Sequence, residues 1–221
     1  MRSLLSPLLI LSVLAFPLFS PRSTQAEESI VQCANLIYAG TKTSRCFSDQ
    51  FLTNMQQKTA IPVERRFRSV KLASDELFDY PFVMMTGESS FFLTTKEREN
   101  LKRYLANGGF LLASAGCSNK DWGRSFRSEM KKIFEDDLLQ EMKFDHPLFR
   151  TVYNIDQLEL SKSSGEGSLE GIEVNGKIVV VFSEEGLNDS SNRAGCCCCG
   201  GNEIQNAMEV NVNILAYALL Y

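Results

Sequence analysis

The residues of this chain best equipped for chemistry are seven cysteines and a single histidine. One cysteine, Cys117, directly follows the apolar run of LLASAGCSNKDWGRSF (111–126) and precedes a helical pattern. A strand-to-helix turn of this kind presents a side chain at the carboxyl edge of a sheet, and a helix terminus there stabilises a thiolate. A thiol nucleophile also needs a base, and the only imidazole is His146, in FDHPLF (144–149). Cys117 as nucleophile with His146 as base is therefore one candidate catalytic pair. The bland alternative is a buried thiol and a His-Pro turn. A second constellation is AGCCCCGGN (194–202), in which four cysteines are consecutive. Neighbouring side chains diverge, so four in a row do not readily surround one tetrahedral zinc. Cys196 and Cys199 nevertheless have the Cys-x-x-Cys spacing of metal and redox sites. A metal clip, a disulfide hub and a tightly built loop all remain open on these residues.

The elements that must position these groups are legible as patterns. Apolar runs recur at ANLIYAG (34–40), PFVMMTG (81–87), GFLLASAG (109–116) and KIVVVFSEE (177–185). Runs apolar at every position suit parallel strands buried on both faces. Between them, LTTKERENLKRYLANGG (93–109) carries Thr94 as N-cap with Glu97 three residues on, and it ends in Asn107, Gly108 and Gly109. Trp122, Phe126, Met130, Ile133 and Phe134 line one helical face, and Cys46 to Ala60 has similar spacing. VERRFRSVKL (63–72) reads as an edge strand. In GIEVNGKIVVVFS (171–183), Asn175-Gly176 between apolar arms marks a hairpin. NEIQNAMEVNVNILAYALL (202–220) reads as a closing helix with Asn202 as N-cap and Gln205 at its third position.

Alternation of strand and helix implies an α/β fold, a flavodoxin-like three-layer sandwich around a mainly parallel sheet, with a hairpin and closing helix in the second half. Its carboxyl edge gathers the candidate ligand-binding residues Gly87, Glu88, Gly116, Ser118, Gly200, Gly201 and Asn202. Backbone N–H groups at the glycine-rich start of the closing helix would face an anionic or polar ligand.

Residues 1–26 have Arg2, an apolar run from Leu4 to Phe19 and a small-residue end at Ala26, the pattern of a cleaved signal peptide. The run is shorter than the roughly 20 residues of a membrane span. Residues 27–221 then form one α/β domain, exported to a periplasm or the exterior, with no stable span after cleavage. Cleavage removes Arg2 and Arg22 but no acid, so the product is more negative than the whole chain at −4. A polyanion partner such as nucleic acid is thereby disfavoured, so none is expected, while export permits disulfides.

The blocks YPFVMMTGESSFFLTTKERENLKRYLANGGFLLAS, SFRSEMKKIF, HPLF, GIEVNGKIVVVFS and CCCCGGNEIQNAMEVNVNILAYAL, in that order, resemble the DUF4159-type family of exported bacterial domains of unknown function. That family is similar to the class I glutamine-amidotransferase-like fold, near the trehalose-utilisation-like domains. The resemblance implies a flavodoxin-like sheet with Cys117 at the nucleophile position. Amidotransferases add a His and a Glu late in the chain, and nothing after VVVFS supplies a His-x-Glu motif here. Where many family members show Asp-Asp-Cys-Cys-Gly, this chain has Ala113, Ser114, Ala115, Gly116 and Cys117. The leading expectation is a non-catalytic domain that binds a small ligand or an envelope protein at the carboxyl edge, with no cofactor. A thiol-dependent hydrolase or transferase, and a metal or redox module on Cys196 to Cys199, are the alternatives.

Overall fold

A strand that is apolar at every position needs cover on both faces. In the computed structural model, which describes residues 30–39, 46–136, 138–192, 194–196 and 200–221, that cover is present. The expected signal peptide, 1–26, lies outside the described residues, as do Cys197, Cys198 and Cys199. In chain order the elements are β1 (Cys33–Ile37), α1 (Gln50–Lys58), β2 (Arg68–Lys71), β3 (Phe82–Gly87), α2 (Thr95–Ala106), β4 (Phe110–Ala115), α3 (Lys120–Phe134), β5 (Gln140–Glu141), β6 (Glu170–Val174), β7 (Lys177–Ser183) and α4 (Ala207–Leu220).

The seven strands form one sheet in the order β2-β1-β3-β4-β7-β6-β5. Pairing is parallel from β2 through β7 and antiparallel from β7 to β5. Counting only the parallel strands gives the order 2-1-3-4-5, the flavodoxin-like winding, whose switch point lies between the first and third strands. The sheet is sandwiched between two apolar layers. Phe51, Leu52 and Met55 of α1 pack with Ile214, Leu215 and Tyr217 of α4 on one face. Leu101 and Tyr104 of α2 pack with Trp122, Phe126 and Met130 of α3 on the other. Trp122 stacks on Phe126 at 5.5 Å and Phe126 on Phe182 at 4.8 Å. Burying one such side chain stabilises the fold by about 1.5–3 kcal/mol.

Local signals in the sequence account for most boundaries. Thr94 and Glu97 form the reciprocal capping box that starts α2. Asn175 and Gly176 both take positive φ, 54° and 80°, between the antiparallel β6 and β7, as a tight primed turn requires. VERRFRSVKL does supply an edge strand, confined to its last residues.

The start of the closing helix differs from expectation. It begins at Ala207, with Asn206 at the cap position and no side-chain cap. Residues 203–205 are instead drawn into backbone pairing with 159–161: Ser161 N–H donates to Glu203 O at 2.9 Å and Gln205 N–H to Glu159 O at 2.7 Å. These extended bonds compete with a helical start and win. α4 is buried nearly all round, and loop backbone pairs with both oxygen and nitrogen of Asn213 and with the nitrogen of Asn211, whose Oδ1 stays without a protein partner. Asn213 Oδ1 accepts from the N–H groups of Val152 and Tyr153 at 3.1 and 2.8 Å.

Candidate functional site

The carboxyl edge is built first by the turn after β4. Cys117 and Ser118 both adopt left-handed backbone, φ 50° and 55°, a conformation that costs a residue with a side chain about 1–3 kcal/mol and persists only where neighbours impose it. Three contacts do so. Ser118 Oγ donates to Glu185 O at 2.5 Å and accepts from Asn202 N–H at 2.8 Å. Asn119 then caps α3, its Oδ1 accepting from Trp122 N–H at 2.9 Å. Gly201 lies so close that a Cβ there would stand 2.8 Å from the carbonyl carbon of Cys117. The glycine is required because another backbone runs directly across the turn.

The strap formed by 200–203 is fastened beneath by a buried polar chain. Asn188, fully buried, donates from Nδ2 to Ala115 O at 3.1 Å and to Glu203 Oε1. Its Oδ1 accepts from Ser114 Oγ at 3.2 Å and Thr86 Oγ1 at 3.4 Å. Ser114 Oγ accepts from Leu187 N–H, and Ser190 Oγ donates to Glu203 Oε2 at 2.7 Å. β3, β4, the loop after β7 and the strap therefore share one network, and a buried network is stabilising when its members are satisfied. Gly186, at φ +100°, brings this loop against β4, and a Cβ there would meet Ala115 O at 2.5 Å.

Covalent bonds complete the closure. Cys46 is bonded to Cys196 with a Cα–Cα distance of 5.4 Å. Cys117 is also disulfide-bonded, its partner lying outside the described residues. Cys33 is a free, buried thiol within β1, and burial pushes its pKa up to about 12.

Gly87, Glu88, Gly116, Ser118, Gly201 and Asn202 do converge on the carboxyl edge. At the switch point, however, the room beside Gly87 is filled by the chain itself: a Cβ there would lie 2.4 Å from Trp122 Nε1 and 2.5 Å from Tyr38 Oη. Trp122 Nε1–H donates to Tyr38 Oη at 2.8 Å, and Tyr38 O–H donates to Thr86 O at 3.0 Å. Gly200 is exposed with nothing within 4 Å of a notional Cβ. Asn202 is not a helix cap. Its Oδ1 accepts from Lys162 N–H at 2.7 Å and its Nδ2 donates to Ser163 Oγ at 3.0 Å, which ties down the 161–171 loop and leaves no helix terminus there for an anion.

The catalytic pair is not assembled. His146 opens the turn Pro147–Arg150, where its Nδ1 accepts from Leu148 N–H at 3.2 Å. With Ile178 it lines a cavity at the amino end of β7, whereas Cys117 stands at the carboxyl end of the neighbouring β4. The strand between Ile178 and Ser183 spans about 17 Å at roughly 3.3 Å per residue, far beyond proton-transfer reach. The bonded Cys117 also has no thiolate to activate. Burial lowers the His146 pKa, against the raising effects of Asp145 and Glu173.

The metal pair is corrected likewise. Cys196 is committed to Cys46, Cys199 lies outside the described residues, and among the described residues no group of three or more His, Cys, Asp or Glu side chains is placed to hold a metal ion.

Two carboxyl groups on this side of the sheet are raised in pKa. Glu185 is shifted up chiefly by burial, with Glu184 and Glu170 adding to it, and its Oε2 has no protein partner. Asp189 is raised by burial, opposed by hydrogen bonds from Asn192 and Ser191. Sequence reading missed Asn188, Glu203, Ser190 and Cys46. The polar run GLNDSSN (186–192) straight after a buried strand was the available signal.

These features define a doubly wound α/β domain whose carboxyl edge is filled by aromatics and crossed by the 200–203 strap. The chain belongs to a family described as a domain of unknown function (DUF4159), whose family model matches residues 32–219. No curated protein matches it. Among the described residues, no helix is long and apolar enough to cross a membrane.

Proposed function

We propose that this protein is an exported, non-catalytic binding domain, an amidotransferase-like fold whose nucleophile position has been turned into a structural clamp. The observation that carries this reading is the bonded state of Cys117 beneath the Gly201–Asn202 strap. A hydrolase or transferase of this architecture needs a free thiolate with a base in reach, and His146 stands at the far end of the sheet. Export is supported by the Cys46–Cys196 disulfide, since such bonds persist in oxidising compartments. The binding face is the rim of the strapped edge, where Phe92 is 66 % exposed and Ile37 47 % exposed. Its partner is an envelope protein or a small ligand, without nucleic acid or a cofactor.

Alkylation of the native, unreduced protein with iodoacetamide, followed by peptide mass spectrometry, tests the clamp. Cys117 should remain unlabelled near neutral pH, and Cys33 should label only in denaturant. Rapid labelling of native Cys117, together with a hydrolytic turnover abolished by that labelling, would overturn the proposal.

A further inference from the structure

A cavity of about 450 Å³ opens at the other end of the molecule, between β5, β6, the start of β7 and the 143–146 turn. Small-molecule sites commonly run from about 300 to 1,000 Å³, with an apolar lining and a few polar groups. The floor here is Leu138, Met142 and Ile178. It is deepened at Gly171, where a Cβ would lie 3.1 Å from both Ile178 Cδ1 and Met142 Sδ.

The mouth is acidic. Glu141, Asp145 and Glu173 line it and are exposed, against one cation, Lys143, and the imidazole of His146. None of the three carboxylates enters an ion pair among the described residues. Glu170 and Glu184 differ, since both are held by Arg127. An aromatic wall adjoins the cavity. The His146 ring lies 5.4 Å from Tyr217, Tyr217 stacks on the exposed Tyr221 at 4.8 Å, and Ile178 N–H donates to Tyr217 Oη at 3.4 Å.

We infer that this cavity is a binding site for a small organic cation, an ammonium or guanidinium group carried on an apolar body. The body fills the Leu138, Met142 and Ile178 floor. The cationic head sits at the mouth, where unpaired carboxylates attract it and aromatic faces favour positive charge. An anionic ligand of the same shape meets like charge and is rejected. The site is independent of the strapped edge and does not require the clamp reading to be correct.

Tryptamine and indole-3-acetate, which share a ring and differ in the sign of the head group, are suitable probes. Titration calorimetry on residues 27–221 should show tryptamine binding and indole-3-acetate binding at least about tenfold more weakly, or not at all. Glu173→Lys, an exposed change beside a hairpin, should weaken tryptamine about tenfold while the melting temperature holds. Binding of neither probe, equal binding of both, or an unchanged tryptamine affinity in the folded Glu173→Lys protein would each overturn the inference. Alkylation at Cys117 is untouched by any of these results, so failure here and failure of the clamp are separately visible.

Discussion

At the carboxyl edge the single side chain of Asn188 engages Thr86, Ser114, Ala115 and Glu203, while at the amino edge Glu141, Asp145 and Glu173 face solvent with no counter-ion among the described residues. The first region buries its polar groups and must therefore satisfy them; the second leaves them wet and need not. The contrast reverses the usual assignment in doubly wound sheets, where the carboxyl edge is the open one. Here polar residues in the place where α/β proteins bind ligands serve to hold the chain to itself. Chemical residue type is thus a poor guide to function unless the state of each group is known.

Breaking the covalent part of the clamp should have the largest effect. Replacing Cys46 and Cys196 together by serine removes a cross-link between residues 150 apart, and unfolding in urea should show a loss of about 3–5 kcal/mol. A cavity-side change such as Glu173→Lys should leave the same measurement nearly unaltered. If the two variants lose equal stability, the distinction between a structural edge and a free one fails.

The polar part comes next. Asn188→Ala strips partners from Ser114, Ala115 and Glu203, all buried. Unpaired buried groups cost about 1–3 kcal/mol each, so a loss of about 2–4 kcal/mol is expected. Denaturation midpoints would read it.

The smallest effect sharpens the comparison by pH. The Glu185 carboxyl is raised above its ordinary value of 4.5, mainly by burial, so the folded protein binds its proton more tightly than the unfolded chain. The associated stability is therefore present below about pH 4.5 and is lost as pH rises through the folded pKa. Glu185→Gln removes that loss. The variant should be modestly more stable than the parent at neutral pH, and the difference should shrink on acidification, as thermal melts across that range would show. A difference that grew toward low pH would mean that Glu185 is stabilised as the anion.

Much of the architecture was legible because it depends on local pattern. The unbroken apolar runs of β3, β4 and β7 announce strands buried on both faces, and Thr94 with Glu97 announces the start of α2. The Gly200–Asn202 region was misread for a physical reason. A glycine pair before an amphipathic run looks like a helix entry, yet pairing of 203–205 with 159–161 delays the helix to Ala207. The Cys117 and His146 proposal failed differently. Each residue type was suitable, but sequence spacing carries no information about which end of a sheet a loop occupies.

By itself, the amino-acid sequence determined the α/β class, the mainly parallel sheet, the hairpin at Asn175–Gly176 and the location of the turn carrying Cys117, because periodicity, capping and turn chemistry act over a few residues. Tertiary structure decided the rest. It put Cys46 against Cys196 across 150 residues, laid Gly201 on the Cys117 backbone, filled the switch point with Tyr38 and Trp122, and moved His146 to the opposite edge. Those outcomes depend on how distant segments close over one another, and long-range closure leaves no trace in local spacing.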